Sequence, residues 1–211
     1  MTTSGCKLLL TTFVFSAKVL SCYSSGGMPM NTVVMLLLFI FLTPLAFATT
    51  NGSVICTQPY AICASAPCMP IPGNMRSALC SCKVETGASF GNTSCNYRKS
   101  QKVAYGLTQI ISTYSFAEAK TNPVMSCPAG TPWTNCLDAK CIIDPNAPGR
   151  AVCTCKVVTI GKYVTYGGNC NTDSCKTILW SGATNKAFLQ GSQALIDFLK
   201  IKKLPYQRCD Q

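Results

Sequence analysis

Cysteines at regular intervals constrain this chain more than any other feature. Fourteen of them lie between positions 56 and 209 of the 211 residues. An even set in a chain of this size is typical of a disulfide framework, which forms in an oxidising compartment. No Cys-x-x-Cys redox motif and no histidine accompany them, which disfavours a redox centre or a zinc site. The residues predicted to form disulfides are Cys56, Cys63, Cys68, Cys80, Cys82, Cys95, Cys127, Cys136, Cys141, Cys153, Cys155, Cys170, Cys175 and Cys209.

The cysteine pattern repeats after 73 residues. Over positions 63–86, ten of 24 residues recur at this offset without a gap. Coincidence does not produce such a match, so the sequence predicts an internal duplication, with cysteine-rich repeats at 49–122 and 123–211. The cysteines related by this offset are Cys63 and Cys136, Cys68 and Cys141, Cys80 and Cys153, and Cys82 and Cys155.

An apolar stretch near the amino terminus predicts export. Val33–Leu42 is an uncharged run of ten residues, the length of a signal-peptide core and short for a bilayer span. Ala46-Phe47-Ala48 follows, which a signal peptidase accepts, so residues 1–48 are the predicted signal or targeting region, cleaved after Ala48. Residues 1–29 are either an unusually long leading segment or lie before the true start of translation. The mature protein is expected to be secreted or periplasmic.

Hydrophobic periodicity predicts one hairpin and one helix in each repeat. Apolar residues at helical spacing occur over 103–114 and again over 188–199. Residues 151–160 and 162–166 are rich in β-branched residues and predict a hairpin, with a weaker version over 78–90. The expected fold class is therefore a small disulfide-rich α+β protein of two tandem repeats, each a cysteine-stapled β-hairpin followed by one helix.

The pairing of the two cysteines without counterparts in the first repeat is open. In one alternative, Cys170 and Cys209 pair with each other and fix the carboxyl-terminal tail. In the other, Cys127 is the final cysteine of the first repeat, in the position that Cys209 holds in the second. Spacing alone does not determine connectivity.

From Cys56 to Cys95 the spacing Cys-x₆-Cys-x₄-Cys-x₁₁-Cys-x-Cys-x₁₂-Cys resembles that of epidermal-growth-factor-like modules. The resemblance implies the disulfides 56–68, 63–80 and 82–95 and, through the duplication, 136–153. It carries no functional residue across, and no calcium-binding signature precedes either block.

Positive charge predicts an anionic partner. Without residues 1–48 the chain has a net charge of +9, which favours an anionic macromolecule or a membrane surface, although the same charge also serves solubility. The candidate contacts are the lysines around the second predicted helix, Lys186, Lys200, Lys202 and Lys203. Lys83 and Lys156 are duplicated, and are either exposed strand residues or a repeated ligand contact.

Catalytic motifs are not evident in the sequence. The lack of histidine excludes Ser–His–Asp triads and Cys–His dyads, no nucleotide-binding motif is present, and no cofactor is expected. The acids occur at unmatched positions of the two repeats, which favours capping and turn roles. The sequence thus predicts an exported disulfide-rich binding protein of unknown ligand. The alternatives are a secreted effector or toxin-like protein acting on anionic surfaces, and a small secreted enzyme or a protease inhibitor using the turns at 70–75 or 145–150.

Overall fold

The computed structural model describes residues 53–119, 121–167 and 169–209. The predicted signal region, 1–48, and its cleavage site lie outside the described residues. In the described part, neither α-helix is both long and apolar enough to cross a bilayer. The strands are β1 (Val54–Ile62), β2 (Pro67–Ile71), β3 (Asn74–Gly91), β4 (Gln101–Lys102), β5 (Thr108–Thr113), β6 (Val124–Cys127), β7 (Trp133–Asn135), β8 (Lys140–Asp144), β9 (Ala147–Val158), β10 (Tyr163–Tyr166) and β11 (Leu179–Gly182), and the α-helices are α1 (Ser174–Thr177) and α2 (Asn185–Leu199).

The fold is mostly β-sheet, so the expected α+β architecture of hairpin–helix tandem repeats is wrong. The helix predicted over 103–114 is instead a short 3₁₀ turn, Ala104–Gly106, followed by β5. Tyr105 has a left-handed backbone (φ 60°), which interrupts any α-helix there. β5 is rich in β-branched residues and pairs with strands on both sides, and this pairing outweighs the helical spacing of its apolar residues.

The hairpins also differ from those predicted. β3 runs without a turn through 78–90, where the weaker hairpin was predicted, and β10 pairs with β6 rather than with β9. The observed hairpins are β2–β3 and β8–β9, whose turns are Pro72-Gly73 and Pro145-Asn146. Proline, glycine and asparagine are all residues that favour turns.

The main sheet closes on itself. Along one edge of β3, β2 pairs near Cys80 and β1 pairs from Lys83 onward, so β1 and β2 act as one interrupted strand. β7 and β8 line β9 in the same way. β3 and β9 pair edge to edge with Cys80 opposite Cys153. These two cysteines also match at the 73-residue offset, so a pseudo-twofold axis passes between them.

Each half completes the sheet of the other half. β5 pairs in parallel with β1 of its own half, at Ala61 opposite Ser112, and then antiparallel with β8. β11 pairs in parallel with β7 and antiparallel with β2, at Leu179 opposite Cys68. The exchanged strands close the sheet and give both halves the same neighbours.

All fourteen cysteines predicted to pair are in disulfides, which confirms the framework. Cys63–Cys82 and Cys68–Cys80 match Cys136–Cys155 and Cys141–Cys153, with sequence separations of 19 and 12 in both halves. The others are Cys56–Cys95, Cys127–Cys175 and Cys170–Cys209. The pairs 56–68, 63–80, 82–95 and 136–153 implied by the growth-factor-like spacing do not form. Cys170 and Cys209 pair with each other, the first of the two alternatives.

Candidate functional site

A cleft of about 90 Å³ opens between the closed sheet and helix α2. Its apolar walls come from Phe90, Val164 and Phe188, and exposed Asn135 and Thr184 lie at its rim. A water molecule needs only about 10–15 Å³, so the cleft has room for a larger group. A concave, mostly apolar site with a few polar groups is the usual form of a small-molecule site.

Helix α2 is held against the sheet by its first half. Thr184 caps the helix by accepting a hydrogen bond from the backbone N–H of Ala187 at 3.2 Å. Gly191 faces the sheet, where an added Cβ would lie 3.1 Å from both Phe90 and Tyr114. The missing side chain therefore allows the close approach that forms one wall of the cleft.

Two tyrosine hydroxyls line up beside the cleft. The Tyr114 hydroxyl lies 3.0 Å from that of Tyr166 and 3.1 Å from that of Ser192 on α2. Burial raises the pKa of Tyr114 to about 12 and also raises the pKa of Tyr166. Both side chains therefore stay protonated at neutral pH, where they act as hydrogen-bonding hydroxyls and not as bases.

Thr113, one of the residues that line the cleft, has a hydroxyl without a hydrogen-bond partner. Its Oγ1 is buried and makes no hydrogen bond within the described chain. The neighbouring hydroxyls of the lining residues are engaged: Ser112 donates to the Cys63 sulfur, and the Thr165 hydroxyl lies 2.9 Å from two backbone carbonyl oxygens and shares its one hydrogen between them. An unsatisfied buried hydroxyl costs about 1–3 kcal/mol, so a ligand that bonded to Thr113 would recover that free energy.

A buried carboxyl lies outside the cleft. Glu118 is 7% exposed, accepts a hydrogen bond from Ser65 at 3.0 Å, and lies 3.5 Å from the Lys83 ammonium. Burial raises the pKa of Glu118, although Ser65 and Lys83 act in the opposite direction. Sequence reasoning missed this residue because it took the acids to be capping and turn residues. The structure places Lys83 in an ion pair with Glu118. Its counterpart in the second repeat, Lys156, forms no ion pair among the described residues.

The sulfur cluster in the core has the spacing of metal ligands but not the chemistry. The sulfurs of Cys63, Cys136 and Cys155 lie within 4.8 Å of one another, as do those of Cys63, Cys82 and Cys153. Every one of them is in a disulfide, whereas metals are bound by thiolates.

The four lysines predicted to contact an anionic surface fall into two places. All are exposed, but Lys186 is in the first turn of α2, whereas Lys200 ends the helix and Lys202 and Lys203 follow it. Fourteen helical residues span about 20 Å, so Lys186 is separated from the other three.

The two loops considered for protease inhibition are hairpin turns. Ile71 pairs with Asn74, and Asp144 pairs with Ala147, so strand pairing continues up to the turns themselves. Both turns are exposed and lie between the two cysteines of a disulfide, Cys68–Cys80 in one half and Cys141–Cys153 in the other.

Comparison of the chain with protein-family models, with curated proteins and with solved structures returns no match.

Proposed function

We propose that this is an exported, disulfide-rich binding protein built from duplicated sequence, and that its cleft takes a small, mainly apolar ligand carrying one hydrogen-bonding group. The observation that carries the proposal is a cleft with apolar walls, one of whose lining residues, Thr113, has a buried hydroxyl without a partner. Apolar walls supply affinity, and a single unsatisfied polar group supplies orientation.

Export is supported by the redox state of the cysteines. Seven disulfides persist in an oxidising compartment, whereas cytosolic thiols are kept reduced. The apolar run and small-residue site before Thr49 provide the expected route.

Binding rather than catalysis suits the groups around the cleft. Its hydroxyls come from serine, threonine and tyrosine, and the tyrosines Tyr114 and Tyr166 remain protonated. The buried carboxyl, Glu118, is not among the lining residues.

The test compares phenol with benzene as probes of the cleft. Thr113→Val removes the hydroxyl and keeps the side-chain shape. Wild-type protein should bind phenol more tightly than benzene, by about 5–10-fold for one hydrogen bond. The Thr113→Val variant should lose this preference but still bind benzene, as measured by NMR chemical-shift titration.

A second pair of variants tests the location of binding. Ala187→Phe fills the cleft from α2 and should abolish binding of both probes. Leu189→Phe, on the exposed side of the same helix, should leave binding unchanged. Equal phenol affinity in wild type and Thr113→Val, or binding that survives Ala187→Phe, would refute the proposed site.

A further inference from the structure

A second surface lies at the carboxyl end of helix α2, away from the cleft. We call it the α2-end patch and define it by three apolar and three cationic residues, Phe198, Leu199, Leu204, Lys200, Lys202 and Lys203. All six are exposed and lie within seven consecutive positions. We propose that this patch docks on a membrane surface containing anionic lipid.

The apolar half of the patch is only partly covered within the described residues. Phe198 is 51% exposed and Leu204 57% exposed, although the same helix buries Phe188 and Leu195 almost completely. The amphipathic spacing over 188–199 predicts burial for Phe198 as well as for Phe188 and Leu195. The buried face of α2 extends only to Leu195, so its last turn leaves Phe198 and Leu199 about half exposed to solvent. Exposed apolar clusters of this kind mark interaction sites.

The chain turns sharply at this point. Lys200 adopts a left-handed conformation (φ 53°, ψ 40°), and its N–H bonds to carbonyls of the last helical turn. Ile201 N–H also bonds back, to the carbonyl of Ile196, at 3.0 Å. The turn folds the lysine-rich segment back against the helix end, which keeps the apolar and cationic residues close together.

The charges select an anionic partner. The nearby acid, Asp197, accepts a hydrogen bond from Gln193 at 2.8 Å, and none of the three lysines pairs with a carboxylate in the ranges described. An anionic bilayer offers both features that the patch needs, since negative headgroups lie above an apolar layer. Each cation near such a surface contributes about 1 kcal/mol, and the apolar side chains add to this by burial.

Another basic surface provides a matched control. Arg150 and Lys156 point outward from β9 and are exposed and unpaired in the described structure. Between them lies Val152, 46% exposed, on the same outward face of β9. Reversing these two charges changes the net charge of the protein by the same amount as reversing two charges of the α2-end patch.

The test is co-sedimentation of the oxidised protein with vesicles at low ionic strength. Vesicles of phosphatidylcholine with phosphatidylserine should bind the protein, and vesicles of phosphatidylcholine alone should bind it much less. Lys200→Glu/Lys203→Glu should weaken binding by at least about tenfold. Arg150→Glu/Lys156→Glu should weaken it by less than about threefold, because those side chains lie on β9, outside the patch.

A second arm separates lipid from a soluble polyanion. Phe198→Ser/Leu204→Ser should lose vesicle binding by at least about tenfold and keep its affinity for heparin, whereas Met75→Ser/Ile160→Ser, at two exposed apolar sites elsewhere, should behave as wild type. Absence of binding to the anionic vesicles would overturn the proposal. So would equal losses for the two charge reversals, or vesicle binding unaffected by Phe198→Ser/Leu204→Ser. These outcomes are independent of the cleft, whose probes carry no charge.

Discussion

The sulfur atoms of Cys63 and Cys153 lie 3.4 Å apart, although each is bonded to a different cysteine. Their disulfides belong to opposite halves of the chain and touch at the centre of the closed sheet. Eight cysteines, forming four disulfides, lie together in one buried cluster with small residues such as Ala78 and Ala151. The disulfides are therefore core packing as well as crosslinks.

Removing a core disulfide should destabilise the protein more than removing a peripheral one. By loop length alone, Cys170–Cys209, with a separation of 39, should contribute about 0.6 kcal/mol more than Cys63–Cys82, with a separation of 19. Cys63→Ala/Cys82→Ala also empties buried sulfur volume, so we expect it to cost about 2 kcal/mol more than Cys170→Ala/Cys209→Ala. Urea unfolding of both variants measures the difference.

The equivalent bridge in the other half provides the control. Cys136→Ala/Cys155→Ala removes a buried disulfide of the same separation and should resemble Cys63→Ala/Cys82→Ala. A larger loss for Cys170→Ala/Cys209→Ala would show that chain entropy dominates.

Gly182 should not tolerate a side chain. A Cβ at this position would lie 2.6 Å from the Val164 carbonyl oxygen and 2.7 Å from the ring of Tyr163, where β11 passes β10. We expect Gly182→Ala to lower the free energy of unfolding by about 1–3 kcal/mol. Gly149→Ala, where a Cβ meets nothing within 4 Å, should be neutral. Equal thermal midpoints for the two variants would contradict the close strand approach.

Glu118 should make stability fall as the pH rises. Its pKa is raised in the folded protein by burial, so between the ordinary carboxyl pKa and the raised one the folded state holds more protons than the unfolded state. Stability is then highest below the ordinary value and decreases as pH rises through the folded value. Glu118→Gln should remove this slope, and Asp197→Asn, at an exposed acid on α2, serves as the comparison. Chemical denaturation across the acidic range gives the slopes, and an unchanged slope in Glu118→Gln would assign the effect elsewhere.

The Tyr114 hydroxyl should contribute measurably to stability. Tyr114→Phe leaves the hydroxyls of Tyr166 and Ser192 without their shared partner beside the cleft. We expect a loss of about 1–3 kcal/mol in the free energy of unfolding. Tyr105→Phe removes a hydroxyl from a side chain that is 98% exposed and should have no effect in the same urea titration. If both variants have the same free energy of unfolding, the hydrogen bonds of the Tyr114 hydroxyl make no net contribution to stability.

Helical spacing and turn residues predicted one helix and one turn of this fold, but not the strand β5 or the disulfide pairing. The spacing over 188–199 coincides with α2, and the turn residues at 72–73 lie at a real turn. The segment 103–114 became β5 because its partners, β1 and β8, come from both halves of the chain, and such long-range pairing leaves no local signature. Disulfide connectivity was unreadable for the same reason.

The cleft could not be predicted from the sequence either. Its walls combine Thr113, Val164 and Phe188, which are distant in sequence and meet only after the sheet has closed. Nothing in the sequence around Thr113 indicates that its hydroxyl will lack a partner. The lysines of the α2-end patch were visible as a cluster, but the exposure of Phe198 depends on where α2 leaves the sheet.

The exchanged strands also bear on the order of folding events. β2 lies more than 100 residues before Leu179–Gly182, the strand that completes its edge, so β2 keeps open hydrogen-bonding groups until those distant residues reach it. We expect the pairing of β2 with β11 to be a late step of folding, because contacts between segments so far apart in sequence form slowly.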